Sequence, residues 1–265
     1  MQTVKVLALI GSPRRAETLK VVEAFGKRLE SFGAIDFEYL FLKDYNLGIC
    51  TGCFSCLSKG ETHCPHRDDL GMLLRKIAAA DGVIFATPNY ALQVTAIMKN
   101  LLDRMAFVFH RPRYFDKTSL AIVTQGIYGG GAIVKYLSEV ARWWGFKIVK
   151  GFYVSTIAPR TPAEQKEIDQ KIDSAARRFV KVLRQRESRS PSLYEFVIFR
   201  MVRSMYRVSN DHEHVDYCYY RDQGWLESDY YYPIRIGWVR KMLGKAIDRF
   251  GARAATKRNQ ALAGK

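Results

Sequence analysis

Four of the five cysteines fall within fifteen positions, as Cys50, Cys53, Cys56 and Cys64 in the segment CTGCFSCLSKGETHC. Thiols grouped this way, in a chain too poor in cysteine for a disulfide scaffold, point to metal or redox chemistry. Their spacing, C-x2-C-x2-C-x7-C followed by Pro65, departs from the paired C-x2-C knuckles of zinc sites. It stands closer to thiolate ligation of a single iron–sulfur cluster, with Gly52 and Gly60 easing the bends. Two other readings remain beside it: thiols that only line a neighbouring pocket, and zinc held through His63 or His66. Cys218 stands apart and reads as an ordinary, partly buried cysteine.

A second chemistry is written into three turns. GSPRRAETL (Gly11–Leu19) leaves an apolar run and opens a helical pattern, so its backbone N–H groups and the positive helix end face one point, a cradle for phosphate. Ser12 and Thr18 add hydroxyls, and Arg14 or Arg15 adds a guanidinium. Neither GxxxxGK[ST] nor GxGxxG is present. TPNY (Thr87–Tyr90) and TQGIYGGG (Thr124–Gly131) end two further apolar runs. The glycines of the latter let backbone approach a flat ligand, leaving N–H groups for its polar edge. Phosphate cradle, aromatic and glycine platform together suit a mononucleotide with a planar ring.

These turns need a scaffold that brings them to one place. Short apolar runs at Val4–Ile10, Phe37–Leu42, Gly82–Pro88, Ser119–Gln125 and Lys147–Val154 predict five strands, the near-continuous ones buried on both faces. Between them helical periodicity runs through Leu19–Leu29, Leu70–Ala80, Gln93–Phe109 and Val134–Val140, and a closing helix spans Ala163 to about Arg186. Strands alternating with helices predict a doubly wound α/β parallel sheet, with ligands beyond the carboxyl ends of the strands.

The motifs GSPR…T, PNY…MKN..DR and TQG…GGG resemble, in that order, those of the flavodoxin-like NADPH-dependent FMN reductases over roughly the first 185 residues. The resemblance implies FMN, with Ser12, Arg14 and Thr18 on the phosphate. Pro88, Asn89 and Tyr90 would line the isoalloxazine, and Thr124, Gly126 and Gly129 its other edge. The cysteine segment resembles that of the iron-sulfur flavoproteins, a branch of the same superfamily, and by that resemblance Cys50, Cys53, Cys56 and Cys64 would ligate a [4Fe-4S] cluster. Two functions follow. One is an NAD(P)H-dependent flavin oxidoreductase delivering electrons to a quinone, flavin or other small acceptor. The other is a ferredoxin-linked electron shuttle without a dedicated substrate. The flavin carries either reaction, so no catalytic side chain is named.

The 265 residues are 48% hydrophobic and 26% charged, which excludes global disorder. The net charge of +16 divides into +10 for residues 1–188 and +6 for 189–265, so it is no polybasic tail. A nucleic-acid binder is disfavoured because the cations are dispersed and no recognition motif occurs. No apolar run reaches transmembrane length and the N-terminus lacks signal-peptide features, so a cytoplasmic protein is expected. A polar linker, Arg184–Ser192, separates the flavodoxin-like domain (1–188) from a Tyr-rich, helical extension (189–265) expected to serve oligomerisation or cover the active site. Trp225, Tyr230, Tyr231, Tyr232 and Trp238 suit an interface in a homodimer or homotetramer. In Leu193–Val208 the residues Val197, Met201, Met205 and Val208 share one helical face, and Arg200, Arg203 and Arg207 another. The expected arrangement is packing on a neighbouring subunit with a solvated basic face; the alternative is a membrane-surface helix.

Overall fold

The computed structural model describes residues 3–185, 189–209 and 211–263. Residues 186–188, within the expected linker and at the expected domain boundary, lie outside the described residues. The chain groups into two compact units. The first comprises residues 1–53 and 66–186, and the second 54–65 and 187–265.

The first unit is built on β1 (Val4–Ile10), whose VKVLALI run is buried at five of its seven positions. In chain order follow α1 (Glu17–Glu30) and β2 (Ile35–Phe41); α2 (Ser55–Ser58) belongs to the second unit. Then come α3 (Leu70–Ala79), β3 (Gly82–Pro88), α4 (Ala96–Arg104), α5 (Phe107–His110), β4 (Thr118–Gln125) and α6 (Gly130–Trp143). β5 (Lys147–Ile148), β6 (Phe152–Ser155) and α7 (Pro162–Leu183) complete it. The order β2-β1-β3-β4-β5, with β6 also on β4 and every pairing parallel, is the flavodoxin-like doubly wound arrangement. Val6, Ala8 and Ile10 pack with Phe25 of α1 and Phe179 of α7 in one core. By the alternation of a strand, Phe85 faces the other side, where it meets Trp144 edge-on with centroids 6.0 Å apart.

The fifth strand differs from expectation. Ser119 lies opposite Ile148 but Ile122 opposite Phe152, so three steps on β4 answer four on the edge. One extra residue is inserted, a β-bulge. Gly151 sits in it because a methyl group there would collide with the Ala121 carbonyl oxygen. The helix expected over Gln93–Phe109 is also interrupted. Thr95 caps α4 by accepting from Met98 N at 3.2 Å while donating to Gly11 O at 2.6 Å, so the helix starts at Ala96.

In the second unit are α2, α8 (Leu193–Arg207), α9 (Val215–Asp222) and α10 (Trp238–Ala263). A capping box between Ser192 and Glu195 starts α8. The basic face expected to be solvated is largely buried: Arg200 and Arg203 are 4% and 2% exposed, each 2.6 Å from Asp248, whereas Met205 is exposed. The aromatics expected at an interface are mostly internal. Tyr220, Trp225 and Tyr230 are buried, and Phe199 meets Tyr230 and Tyr231 edge-on; Trp238 alone is strongly exposed.

Candidate functional site

The carboxyl ends of the strands converge as predicted. Gly11 N donates to Ala86 O at 2.8 Å, prolonging β1 by one step. Ser12, buried, donates through Oγ to Arg14 O at 2.7 Å and accepts from Arg14 N at 3.3 Å, shaping a tight turn. No side chain caps α1 behind Ala16, so its first-turn amides remain available to an external acceptor. Arg15 is committed elsewhere, to Asp44 at 2.9 Å and over the Phe41 ring at 4.3 Å, whereas the exposed Arg14 has no ion-pair partner among the described residues. Of the two arginines, Arg14 therefore lines the cavity. Glu17, in the same helical turn, is drawn away by Lys20 at 2.8 Å and Arg160 at 2.5 Å. Burial opposes its charge, but these hydrogen bonds outweigh that and hold the carboxyl below its ordinary range.

Three polar contacts lock the three turns together. Thr18 and Thr124, both buried, share a 2.7 Å hydroxyl–hydroxyl hydrogen bond. Asn89 N donates to Thr124 O at 2.7 Å, and Asn89 Nδ2 donates to Tyr128 O at 2.8 Å. Asn89 Oδ1 is left buried without a hydrogen-bond partner, an acceptor whose desolvation an incoming N–H would relieve. Tyr90 and Gln93 exchange two 3.0 Å backbone hydrogen bonds around Ala91 and Leu92, both left-handed at φ 48° and 62°. That is the geometry of a two-residue primed turn made without glycine, so the loop is strained. Gly129, at φ 98°, meets this turn: a Cβ would lie 2.8 Å from Leu92 and 3.0 Å from Asn89. A side chain at Gly126 would meet nothing within 4 Å, so its backbone faces open space.

Between these turns lies a cavity of about 300 Å³. Ser12, Arg14, Thr18, Pro88, Asn89, Tyr90, Thr124 and Gly126 line it; Gly129 stands behind, where its missing side chain lets two loops approach closely. Sequence reasoning missed Ala16, Glu17, Gln125, Thr156 and Ile157, which also line it. Gln125 Nε2 donates to Ile127 O at 3.0 Å and its Oε1 accepts from Gly130 N at 2.6 Å, bracing the glycine turn. Thr156 and Ile157 follow the last strand, and the strand-end rule that identified the other turns applies to them equally.

The cysteine segment divides between the two units. In the first, Cys50 N donates to Asn100 Oδ1 at 3.0 Å, and Asn100 Nδ2 donates to Leu47 O at 3.1 Å and Gly48 O at 3.2 Å. Arg104 donates to Gly48 O at 2.8 Å and to Asp68 at 2.6 Å and 3.1 Å. This pair is almost fully buried, at 2% and 5% side-chain exposure. Burial alone would raise the Asp68 pKa, but hydrogen bonds from Arg104, Gly48 N and Leu70 N bring it down to about 2. The α4 motif MKN..DR is thus a clamp on the start of the cysteine segment. In the second unit Phe54 (φ 59°) and Gly60 (φ 101°) flank α2; Cys56, in that helix, and Cys64, beyond it, are half-buried. Among the described residues no group of three or more His, Cys, Asp or Glu side chains converges as a metal ion needs. Of the expected ligands, Cys50 and Cys53 fall in the first unit and Cys56 and Cys64 in the second, while His66 falls in the first and His63 in the second.

The profile of the NADPH-dependent FMN reductases matches residues 4–158. An iron-sulfur flavoprotein of Archaeoglobus fulgidus is 37% identical over 143 residues, which are 53% of this chain and 64%, less than two thirds, of that relative. An NAD(P)H-dependent FMN reductase of Schizosaccharomyces pombe is 30% identical over 166 residues, 61% of this chain and 72% of the relative. Among solved structures, an NAD(P)H:quinone oxidoreductase from Methanothermobacter marburgensis superposes with a TM-score of 0.54 at 19% identity, covering 66% of this chain and 96% of that one. At that identity the likeness concerns the fold.

Proposed function

The chain belongs to the NADPH-dependent FMN reductase family, and from that premise we propose that it is an FMN-dependent oxidoreductase passing electrons from NAD(P)H to a quinone, flavin or other small acceptor. The observation that carries this reading is the convergence of eight residues from three separate turns on one cavity, beside the uncapped start of α1. The residues fit the group. Uncapped amides and Arg14 suit a phosphate, and the partnerless Asn89 Oδ1 suits an N–H on the edge of a planar ring.

Bound FMN would supply hydride and one-electron chemistry; the chain supplies position and electrostatics. Ser12, Arg14 and the first-turn amides of α1 hold the phosphate. Thr18 and Thr124, fixed on each other, set the distance between the phosphate end and the ring platform. Pro88, Asn89 and Tyr90 line the ring. Backbone N–H groups at Gly126 and beyond donate to its polar edge, which favours negative charge there. Gly129 keeps the Leu92 turn close without a clash. No side-chain acid or base is required, and the carboxylate of Glu17, which also lines the cavity, is engaged by Lys20 and Arg160.

A second reading, an iron-sulfur flavoprotein linked to ferredoxin, is favoured by the four-thiol donor set and by the similarity to iron-sulfur flavoproteins. Among the described residues no metal-holding group of three or more such side chains is gathered, so no step is routed through a cluster. We further infer a cytoplasmic homodimer or homotetramer; no helix among the described residues is long and apolar enough to cross a membrane.

The test is the absorption spectrum, iron content and FMN affinity of anaerobically purified protein, with NADPH oxidation followed against a quinone. Flavin bands, FMN-dependent turnover and a tenfold or greater loss of FMN affinity in Arg14→Ala (about 1.4 kcal/mol) are expected. Failure to bind FMN would overturn the proposal. About four irons per chain, lost in Cys53→Ala, would replace the first reading by the second.

A further inference from the structure

Helix α10 turns an uncovered apolar arc outward. Trp238, Val239, Met242, Leu243 and Phe250 are 73%, 59%, 64%, 38% and 66% exposed. With 3.6 residues per turn they occupy one side of the helix over about 18 Å. The opposite side is packed on α8, where a Cβ at Gly244 would lie 2.8 Å from Arg200 and one at Gly251 3.0 Å from Ser204.

The charges around the arc indicate what covers it. Seven Lys and Arg residues lie in Trp238–Ala263 against one acid, Asp248. Asp248 is turned inward, bonded to Arg200, Arg203 and Ser204. Lys241, Lys245 and Arg249 flank the arc, Arg253 and Lys257 continue it, and all five are exposed without an ion pair among the described residues. Two such arcs meeting face to face would bring like cations together with no carboxylate to relieve them, so a second copy is disfavoured. An anionic bilayer supplies both complements at once: an apolar layer needing no matched shape, and negative headgroups at its rim. Trp238 has the amphipathic ring favoured at that boundary.

We propose that α10 docks the protein on an anionic phospholipid surface. The Trp238–Phe250 arc enters the boundary between headgroups and acyl chains, and Lys241, Lys245 and Arg249 lie at headgroup level. The membrane-surface property weighed for α8 in the sequence thus belongs to α10, because Arg200 and Arg203 of α8 are spent on Asp248 and Arg207 on Glu227.

Sedimentation of the full-length protein with phosphatidylcholine vesicles, with and without phosphatidylglycerol, tests this. Binding is expected only with phosphatidylglycerol, weakening as salt rises. At roughly fivefold per cation, the triple variant Lys241→Glu, Lys245→Glu, Arg249→Glu loses at least about a hundredfold in partitioning. Met242→Glu with Leu243→Glu removes binding through the apolar arc while these exposed positions leave the thermal midpoint unchanged. Lys27→Glu, an exposed cation elsewhere, leaves binding intact. Absence of binding to the anionic vesicles, or variants that bind as the parent does, would overturn the proposal. So would apolar-arc variants that change the oligomeric state in a protein that ignores vesicles, since the arc would then be a subunit interface. FMN content is read separately in every sample and does not enter the outcome.

Discussion

Asp68→Asn probes the clamp beneath the cysteine segment with little change of shape. Asp68 receives two hydrogen bonds from the buried Arg104 guanidinium and one each from Gly48 N and Leu70 N. Its pKa, about 2 in the fold against an ordinary 3.8, corresponds to about 2 kcal/mol of stabilisation. Because the folded value is the lower one, this stabilisation is complete above about pH 5 and disappears as pH falls through about 2; roughly half remains at pH 3. Removing the charge also takes the Asp68 carboxylate away from the buried Arg104 guanidinium, and breaking buried pairs costs about 3–5 kcal/mol. Urea unfolding of parent and variant at pH 7 and pH 3 measures both effects. A loss of about 3 kcal/mol is expected at neutral pH, and a gap smaller by about 1 kcal/mol in acid. A gap under about 1 kcal/mol at pH 7, or one unchanged by acid, would refute the assignment of Asp68 as a charge held by Arg104.

Three further expectations rest on separate contacts. Gly151→Ala drives a methyl group into the Ala121 carbonyl and should lower stability by about 2 kcal/mol, read as a fall in thermal midpoint. Leu92→Gly relieves a left-handed backbone at φ 62° at a position already 53% exposed. The expected gain of about 1 kcal/mol would appear as a rise of about 2–4 °C. Asp248→Asn leaves Arg200 and Arg203 buried without their shared carboxylate; about 3 kcal/mol should be lost, and trypsin should cut the second unit faster.

Much of the first unit was legible because its information is local. VKVLALI and GVIFATP announce buried parallel strands, and the turns after them carry their own glycines, hydroxyls and arginines. The choice between Arg14 and Arg15 required the fold, since Asp44 and Phe41, which occupy Arg15, lie on another element. Gly151 did mark the bulge, for an isolated glycine in a strand pattern is such a signal, but KIVKGFYV reads through it as continuous apolar sequence. The burial of Arg200 and Arg203 was not legible. Three arginines at helical spacing look solvated until Asp248, 45 residues beyond Arg203, folds back on two of them. For the cysteines, spacing alone said nothing of the division of Cys50–Cys64 between two units.

The bulge at the rim of the sheet has a consequence for the crowded conditions of synthesis. A parallel sheet left open at its sides offers unpaired amides on which another chain can build. Here one side is β5–β6, only two and four residues long, kinked by the extra residue and bearing Lys147 and Lys150. The other is β2, where Asp36 and Glu38 are exposed. A strand approaching the first side meets a broken ladder and positive charge, and one approaching the second meets negative charge. The inserted residue that shifts the register by one therefore also guards newly made chains against cross-pairing while the sheet is still exposed.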